Sequence, residues 1–437
     1  MDNARMGVHS RGTRSGAALM AVVLCSSLVA ACGREPRVPT LNWYVNPDNG
    51  GQARLAGRCE AASGGRYRIR VSVLPKDATQ QREQLVRRLA AKDASIDLMN
   101  LDPPFLPEFA EAGFLRPFAP REAVQFTDGA LKGPVRSAIW GGRLMGVPLW
   151  ANTQLLWYRK SVAKRAGLVM SAPVTWDGLI QAAVKTGTTL EVQGNRYEGY
   201  MVWISALVAS AGGRILENPE AGKEVKLGLD SAAGRRAAAI IRALALSRAA
   251  DPALSTSDEE SARAGFQGER GGFMVNWPYV YGAAREAVAA HALEKAVFED
   301  IGWARYPRVE RDLPSRPPLG GIDLAIGAFS KYPELALDAA RCIASTRSQT
   351  EYMVEAKTPV SRAAAYDDPR VRQIFPMADL IRDSIDESAP RPQTPYYTDV
   401  SASVVRVYHP EAAVLPEATP ARAAKLVVDV LHDRALL

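Results

Sequence analysis

The chain has 437 residues, of which 47% are hydrophobic and 23% are charged. These are ordinary values for a soluble globular protein, and the length exceeds what one compact core usually holds, so two lobes or domains are expected. The formal net charge of +7 is spread along the chain without the basic runs typical of nucleic-acid-binding proteins. A nucleic-acid partner is therefore not expected.

Residues 1–31 are predicted to be a lipoprotein signal peptide. Three arginines precede an apolar run at residues 17–31, which is too short to span a bilayer comfortably. The run ends in L-V-A-A-C, which resembles a bacterial lipobox, where cleavage precedes a cysteine that receives lipid. The mature chain would start at lipidated Cys32, with residues 32–37 as a tether, and lipid alone would hold it to the extracytoplasmic face of the cell membrane. An ordinary secretory signal with a chance cysteine is the alternative.

The cysteine count favours one disulfide. Cys25 lies in the predicted signal and Cys32 is the predicted lipid site, which leaves Cys59 and Cys342. An even pair of cysteines in an exported protein suggests a disulfide. Because each lies on the apolar face of a predicted helix, two independent buried thiols are the alternative.

Strands alternate with helices in the first part of the chain. Strands are predicted at residues 38–45, 67–74 and 96–101, and Asp77 followed by Gln80 marks a helix start between the last two. This alternation predicts a parallel sheet, and such sheets bind ligands at the carboxyl ends of their strands. Polar residues follow two of these strand ends, in N-P-D-N-G-G at residues 46–51 and at Asp102.

The rest of the chain is predicted to be mainly helical with a few strands. Strands are expected at residues 144–147, 154–158, 273–276 and 319–325, the first two joined through residues 149–152. Helices are expected at residues 175–185, 201–211, 232–247, 257–266 and 331–345, with a loop-rich stretch at 300–318 and a helical tail interrupted at 390–397.

An aromatic segment ends one of these strands. Residues 266–281 read F-Q-G-E-R-G-G-F-M-V-N-W-P-Y-V-Y, so a short apolar strand is predicted to expose Trp277, Tyr279 and Tyr281 around Pro278. Aromatic faces on rigid backbone suit the apolar C–H faces of a sugar ring. The segment favours a carbohydrate platform, and three core aromatics on a buried strand are the alternative.

The sequence carries few signals of catalysis. Its four histidines have no second His or Cys at ligand spacing, and no G-x-S-x-G, P-loop or G-x-G-x-x-G follows a predicted strand. No metal or cofactor is therefore expected. Asp102 and Glu259 could pair as the acid and base of a glycosidase, but sugar-binding proteins also use carboxylates to accept hydroxyl hydrogen bonds.

Several motifs in order resemble one known family. They are the lipobox, N-P-D-N-G-G, Leu101-Asp102, N-T-Q-L-L-W-Y at residues 152–158, N-W-P-Y at 276–279, Gly320-Gly321 and R-P-Q-T-P-Y-Y at 391–397. Together they resemble the extracellular solute-binding proteins of ABC sugar importers, in particular the actinobacterial trehalose-binding lipoproteins of the LpqY type. Tyr279 in place of Phe, and a shorter stretch at residues 300–319, are departures that leave the exact sugar open.

The resemblance implies a fold and a set of partners. The expected fold is α/β, a two-lobe periplasmic-binding-protein-like fold of type II, similar to maltose-binding protein, with ligand in the cleft between the lobes. The first lobe would take residues 38–150 and 303–349, and the second 151–302 and 350–437. The resemblance also implies a monomer that is not an enzyme and that passes its ligand to ABC permease and ATPase subunits.

The resemblance further implies which residues contact the sugar. They are Asp48, Asn49, Asp102, Asn152, Glu259, Trp277, Tyr279, Gly320, Gly321 and Arg391. Trp277 would stack on the sugar, the glycines would let backbone N–H groups approach it, and Arg391 would be a charged donor from the second lobe. Asp48 and the glycines could instead only form turns, and Arg391 could be a surface ion pair.

The function expected from these observations is capture of trehalose or a related α-linked disaccharide for import. A secreted glycosidase that uses Asp102 and Glu259 is one alternative. A binding protein for another solute, such as a peptide or a polyol phosphate, is a second. Carboxylates at Asp48, Asp102 and Glu259 would repel phosphate, which disfavours an anionic ligand.

Overall fold

A computed structural model describes residues 38–437 of the chain. The predicted signal peptide, lipidation site Cys32 and tether lie outside the described residues. Within residues 38–437, none of the helices combines the length and the apolar character that crossing a membrane requires.

Eleven strands form the sheets of the described region. They are β1 (Thr40–Val45), β2 (Arg68–Val73), β3 (Leu98–Leu101), β4 (Ile139–Trp140), β5 (Arg143–Leu144), β6 (Val147–Thr153), β7 (Leu155–Arg159), β8 (Thr189–Glu191), β9 (Gly271–Asn276), β10 (Ile301–Ala304) and β11 (Leu319–Ile326).

The first large sheet has the strand order β2-β1-β3-β11-β6. β1 pairs in parallel with both β2 and β3, as the alternation of strands and helices predicted. β11 returns from much later in the chain and lies antiparallel to β3 and β6, so this sheet is mixed rather than purely parallel.

The second large sheet has the order β10-β7-β9-β8 and lies in the other part of the molecule. β6 of the first sheet is followed, after one residue, by β7 of the second, so the chain crosses directly between the sheets. Gln154 lies at that crossing and is buried, and its Nε2 donates to Oε1 of Gln193 at 2.9 Å. The two sheets are therefore the cores of two mixed α/β lobes joined by a short connection.

Eighteen α-helices within residues 38–437 cover the sheets. They are α1 (Gly51–Ala62), α2 (Ala78–Ala90), α3 (Leu106–Glu111), α4 (Pro120–Thr127), α5 (Lys132–Ser137), α6 (Lys160–Ala166), α7 (Trp176–Thr186), α8 (Glu198–Ser210), α9 (Ala232–Ala245), α10 (Glu259–Gln267), α11 (Tyr279–Ala289), α12 (Lys295–Glu299), α13 (Pro333–Ile343), α14 (Thr346–Ala356), α15 (Pro369–Ile374), α16 (Ala378–Asp386), α17 (Tyr397–Tyr408) and α18 (Thr419–Leu431).

Helix starts follow the capping residues in the sequence. Asp77 accepts the Gln80 N–H at 2.9 Å and caps α2, as its spacing from Gln80 predicted. Asp258 caps α10 by accepting the N–H groups of Glu260 and Ser261. Glu259 is the first residue of α10, so this cap fixes the direction in which its side chain projects from the helix.

Three local predictions were wrong. Residues 149–152, predicted as a link between two strands, belong to β6 because they pair with β11. Residues 301–304, predicted as part of a loop, form β10 on the edge of the second sheet. β8 was not predicted at all, since three residues are too few to show a period of two.

The late helices divide between the two sheets. α14 packs against α1, and Gln349 on it donates to the carbonyl oxygen of Pro148 at 3.1 Å. α17 and α18 instead pack with α8 and α9 beside the second sheet. The predicted lobe boundaries stay a prediction, and these contacts favour a second-lobe segment that begins after α16 rather than at residue 350.

The predicted disulfide is confirmed. The sulfur atoms of Cys59 on α1 and Cys342 on α13 lie 2.04 Å apart. The bond joins two helices of the first lobe that are 283 residues apart in sequence.

Candidate functional site

The carboxyl edge of the first sheet gathers four of the predicted ligand residues. Asp48 follows β1 and Asp102 follows β3, so both leave the sheet at the same edge. Asn152 near the end of β6 pairs in register with Gly320 near the start of β11. Since β11 runs antiparallel to β3, its first residues extend past the end of β3 toward that same edge.

The carboxyl edge of the second sheet presents the aromatic segment. β9 ends at Asn276, which pairs with Leu155 at the start of β7, next to the crossing between the lobes. The buried Asn276 amide donates to the carbonyl of Glu259 at 2.9 Å and accepts the Trp277 N–H at 2.8 Å. These bonds fix the backbone from which Trp277 projects.

The three aromatics of this segment differ in their surroundings. Trp277 is half-buried, and its ring lies against Gly320 of the first lobe. Tyr279 is also half-buried and donates to the carbonyl of Glu259 at 3.1 Å. Tyr281, predicted to be exposed, packs against Phe298 and Trp303 with ring centroids 5.3 and 5.6 Å away, so it stabilises the lobe.

Arg391 joins residues of both lobes. Its Nη2 lies 2.5 Å from Oδ1 of Asp102, and its Nη1 lies 2.6 Å from Oε1 of Glu198 at the start of α8. The Arg391 side chain is only 4% exposed, against 15% for Asp102 and 13% for Glu198. Arg391 is therefore a buried centre of an ion triad, not the surface ion pair that the sequence left open.

Further bonds hold the Glu198 side of this triad. Tyr397 donates its hydroxyl to Oε1 of Glu198, and Ser401 donates to Oε2 at 2.8 Å. The Tyr397 ring packs edge-on against Phe105 of the first lobe, with centroids 5.5 Å apart. The lobes are therefore in contact both through the ion pair of Asp102 with Arg391 and through the rings of Phe105 and Tyr397.

Burial shifts the ionisation of these groups. It raises the pKa of Glu198, although the charge of Arg391 opposes the shift. Burial also opposes the charge of Arg391, but its two carboxylate partners outweigh this, and its pKa lies well above the usual value. Asp323 in β11 is buried with its pKa raised well above the usual value, by burial first and then by the charge of Asp102.

Asp48 has its side-chain oxygens occupied by the backbone. Oδ1 accepts the Gly50 N–H at 2.9 Å and Oδ2 accepts the Gln52 N–H at 2.8 Å, which holds the turn into α1. Asn49 beside it is exposed. The geometry favours the turn-forming role of Asp48, and contacts of these two residues with a ligand stay a prediction.

Glu259 takes part in a bond with a neighbouring tyrosine. Tyr197 donates its hydroxyl to Oε2 of Glu259 at 2.7 Å. Burial, and then the Glu259 charge, raise the pKa of Tyr197, so it stays a neutral donor. Glu259 is half-buried, so a carboxylate oxygen is within reach of the space beside Tyr197.

A cavity of about 190 Å³ lies between the lobes beside these groups. Its lining combines aromatic, hydroxyl and charged side chains from both lobes, namely Thr79, Phe105, Arg196, Tyr197, Glu198, Tyr397, Thr398, Ser401, Ala402 and Val405. The sequence analysis assigned none of these residues to ligand binding, although Tyr397 ends the R-P-Q-T-P-Y-Y motif. One signal could have pointed to Glu198: it opens a helix that is buried on nearly all sides, where an acidic residue must face a polar partner.

Within residues 38–437, no three His, Cys, Asp or Glu side chains are grouped so that they could hold a metal ion. The acidic groups of the cleft are instead bound to Arg391, tyrosine hydroxyls or backbone N–H groups.

A family model agrees with this architecture. Residues 65–350 match the model described as bacterial extracellular solute-binding protein. A curated relative from Deinococcus radiodurans, a probable ABC transporter-binding protein, is 29% identical over 264 residues. The match covers 58% of this chain and 60% of that relative's length.

Solved structures with the same fold include two sugar-related receptors. Maltose-bound MalE3 of T. maritima superposes with a TM-score of 0.75 at 24% identity, covering 91% of this chain and all of that one. The GacH receptor of Streptomyces glaucescens, solved unliganded and with acarbose, gives 0.72 at 20% identity, covering 91% and 98%. These matches confirm the predicted two-lobe fold of the maltose-binding type.

Proposed function

We propose that this chain, which belongs to the bacterial extracellular solute-binding protein family, binds trehalose or a related α-linked disaccharide. The family match covers residues 65–350, which is well over half of the chain. On this proposal the protein binds the sugar in the cleft between its lobes and delivers it intact to an ABC importer.

The observation that carries the proposal is the position of Trp277. Its half-buried indole projects from the end of β9 and lies against Gly320, so a rigid aromatic face stands where the two lobes meet. Such a face suits the C–H side of a sugar ring. Carboxylates and amides at Asp102, Asn152 and Glu259 would then accept or donate hydrogen bonds to the hydroxyl groups.

The structural neighbours support a sugar in general. MalE3 has been solved with maltose bound, and GacH has been solved in complex with acarbose. The preference for trehalose rests on the sequence motifs alone, and the other predicted contacts at Asp48, Asn49, Tyr279 and Gly321 are part of the same proposal. Arg391, predicted as a direct donor to the sugar, is instead proposed to hold the carboxylates of Asp102 and Glu198, which occupy both of its terminal nitrogens.

The geometry disfavours a glycosidase. A glycosidase needs one carboxylic acid that holds a proton for the leaving group and a second carboxylate opposite it. Asp102 is engaged in an ion pair with Arg391, so its carboxyl group is not free to face a glycosidic oxygen. Glu259 already accepts the hydroxyl proton of Tyr197.

The location and partners follow from the family and the sequence. We expect the protein as a monomer on the outer face of the cell membrane, attached through lipid on Cys32. There it would pass its ligand to the permease of an ABC importer, which the ATPase subunits drive from the cytoplasmic side. Cys32→Ala should release folded protein into the soluble fraction, because lipid is the proposed anchor. Continued sedimentation of the variant with membranes would contradict lipid anchoring.

A thermal-shift screen followed by calorimetry tests the ligand. Residues 38–437 would be titrated with trehalose, maltose, sucrose, cellobiose, a tripeptide and a polyol phosphate. A ligand that binds only the folded state stabilises it by about 4 kcal/mol at 1,000 times its Kd, which raises the melting temperature. We expect trehalose, or another α-linked disaccharide, to give the largest rise. A rise only with the peptide or the phosphate would overturn the proposed sugar.

A further inference from the structure

Both terminal nitrogens of the Arg391 guanidinium are engaged by the protein itself. One terminal nitrogen of its guanidinium faces Asp102 of the first lobe and the other faces Glu198 of the second, at 2.5 and 2.6 Å. Charge-assisted bonds of this length are the strong class of hydrogen bond. An incoming anion would have to displace a carboxylate from this arginine to bind it.

The acidic residue Glu198 is the member of the triad that faces the cavity between the lobes. Of the described residues, those that line the 190 Å³ cavity include Glu198 but not Arg391. Ser401 holds Oε2 of Glu198 at 2.8 Å, and the Tyr397 hydroxyl holds Oε1, so the carboxylate cannot swing away easily. Trp277, Asp102 and Asn152 do not line this cavity, so we place it beside the proposed stacking site rather than at it. The part of a ligand that enters the cavity meets the Glu198 carboxylate, while the guanidinium stays buried behind it.

We propose that Glu198 is a positioning residue that sets the charge selectivity of the cleft: by clamping Arg391, it makes the site select uncharged sugars and reject anionic ones. This inference rests on the proposed sugar-binding function and deepens it. It differs from a general repulsion of anions by acidic residues. It predicts that replacing Glu198 alone by an uncharged residue frees Arg391 to bind an anion.

Other charges near the cavity do not replace this role. Arg196 lines the cavity but is exposed, so solvent screens its charge. Glu259 reaches the space through Tyr197, and its charge adds to the rejection of anions. Since Glu259 is hydrogen-bonded to Tyr197 and the ion pairs of Arg391 are with Asp102 and Glu198, the effect of Glu259 should survive substitution of Glu198 and can be separated from it.

The test compares two nearly isosteric probes. Trehalose is one, and the other is its mono-uronic acid, in which a carboxylate replaces one hydroxymethyl group. Calorimetry at one ionic strength should show that the wild type binds the uronic acid about 100-fold more weakly than trehalose, or worse, since like charges repel. In Glu198→Gln the ratio of the dissociation constant for the uronic acid to that for trehalose should fall by about 10- to 100-fold, because that factor corresponds to the free energy of one charge-assisted hydrogen bond.

Two further variants show whether the effect passes through Arg391. In Glu198→Gln/Arg391→Met the gain for the uronic acid should vanish, because the freed guanidinium is gone. Glu122 lies on α4 and pairs with Arg116, and neither residue lines the cavity. Glu122→Gln is therefore the control, and it should leave the ratio of the two dissociation constants unchanged. If Glu198→Gln does not fold, Arg391→Met is used instead. If Arg391 is masked in the wild type, its loss should weaken the binding of trehalose and of the uronic acid by the same factor.

The outcomes separate the inference from the proposed function. Tight trehalose binding with an unchanged ratio in Glu198→Gln, or a gain that persists without Arg391, would overturn the role of Glu198 and leave sugar binding intact. A wild type that binds none of the disaccharides would overturn the proposed function, and the inference would fall with it.

Discussion

Trp277 and Gly320 meet across the two lobes so closely that Gly320 has no room for a side chain. A Cβ atom built on Gly320 would lie 2.9 Å from two ring carbons of Trp277, closer than real Cβ atoms approach. Trp277 ends a strand of the second sheet and Gly320 begins one of the first. The absence of a side chain at residue 320 therefore lets an aromatic ring from one lobe lie on the backbone of the other.

Trp277→Ala should abolish most of the sugar affinity. A central aromatic anchor contributes roughly 2–4 kcal/mol to binding, which is about 30- to 1,000-fold in Kd. Because Trp277 is half-buried and lies outside the buried core, the melting temperature without ligand should fall only slightly. Calorimetric affinity and apo melting temperature are the two measurements. A large apo destabilisation with normal binding by the folded fraction would make Trp277 a core residue instead.

Gly320→Ala should weaken binding without removing the aromatic ring. The new methyl group must push the half-buried Trp277 ring aside, away from the position in which it would stack on the sugar. We expect a loss of affinity of about tenfold with little change in apo stability. Gly321→Ala is the control, because φ of +137° and a Cβ 2.5 Å from the Trp150 carbonyl oxygen should lower stability instead. Equal effects of the two variants on both measurements would contradict this assignment.

The protein should not hydrolyse its sugar. Trehalose, maltose and an aryl glucoside incubated with purified protein should release no glucose or aglycone above a blank, because Asp102 is committed to Arg391. Product detection by a coupled glucose assay is sufficient. Turnover that disappears in Asp102→Asn or Glu259→Gln would establish a glycosidase.

Local signals in the sequence were enough for much of the fold. The Asp77 cap, the strands that end before Asp48 and Asp102, and the pairing of Cys59 with Cys342 follow from short-range patterns or from simple counting. Parallel pairing brings the carboxyl ends of β1 and β3 to one edge, which is why the turn that contains Asp48 and the residue Asp102 were placed at strand ends on the same sheet.

The charged centre of the cleft could not be predicted in the same way. Arg391 lies 193 residues after Glu198 and 289 after Asp102 in the sequence, and no periodic pattern links the three. Asp48 was ambiguous for another reason: an aspartate that forms a turn and one that binds a sugar use the same two oxygens. Only the tertiary structure distinguishes such roles.

Removal of the disulfide should lower stability and leave binding largely unchanged. Cys59→Ala/Cys342→Ala opens a link between residues 283 apart, and loss of a native disulfide typically costs about 2–5 kcal/mol. The linked helices α1 and α13 pack together in the first lobe, away from Trp277. Urea unfolding should show the loss, and calorimetry should give a near-wild-type Kd. Equal urea midpoints would show that the bond adds nothing to stability.

Glu191→Gln should stabilise the protein increasingly as the pH rises. Glu191 at the end of β8 is 3% exposed, and its carboxylate lies beside Gly265 of α10, where a Cβ would be 2.9 Å away. Burial raises its pKa to about 7 from the usual 4.5. Between these values the unfolded chain ionises while the folded protein keeps the proton, so wild-type stability falls as pH rises and levels off above the folded pKa.

The Gln variant lacks this penalty, so its advantage over the wild type should grow by about 2–3 kcal/mol between pH 5 and pH 8, measured by urea unfolding at each pH. Glu122→Gln is the matched control with the opposite sign. Its hydrogen bond with Arg116 lowers the pKa of Glu122, so the wild-type carboxylate stabilises the fold at both pH values. The control should therefore be less stable than the wild type by a similar amount at pH 5 and pH 8. A Glu191→Gln advantage that does not change with pH would mean that Glu191 is already ionised in the folded protein.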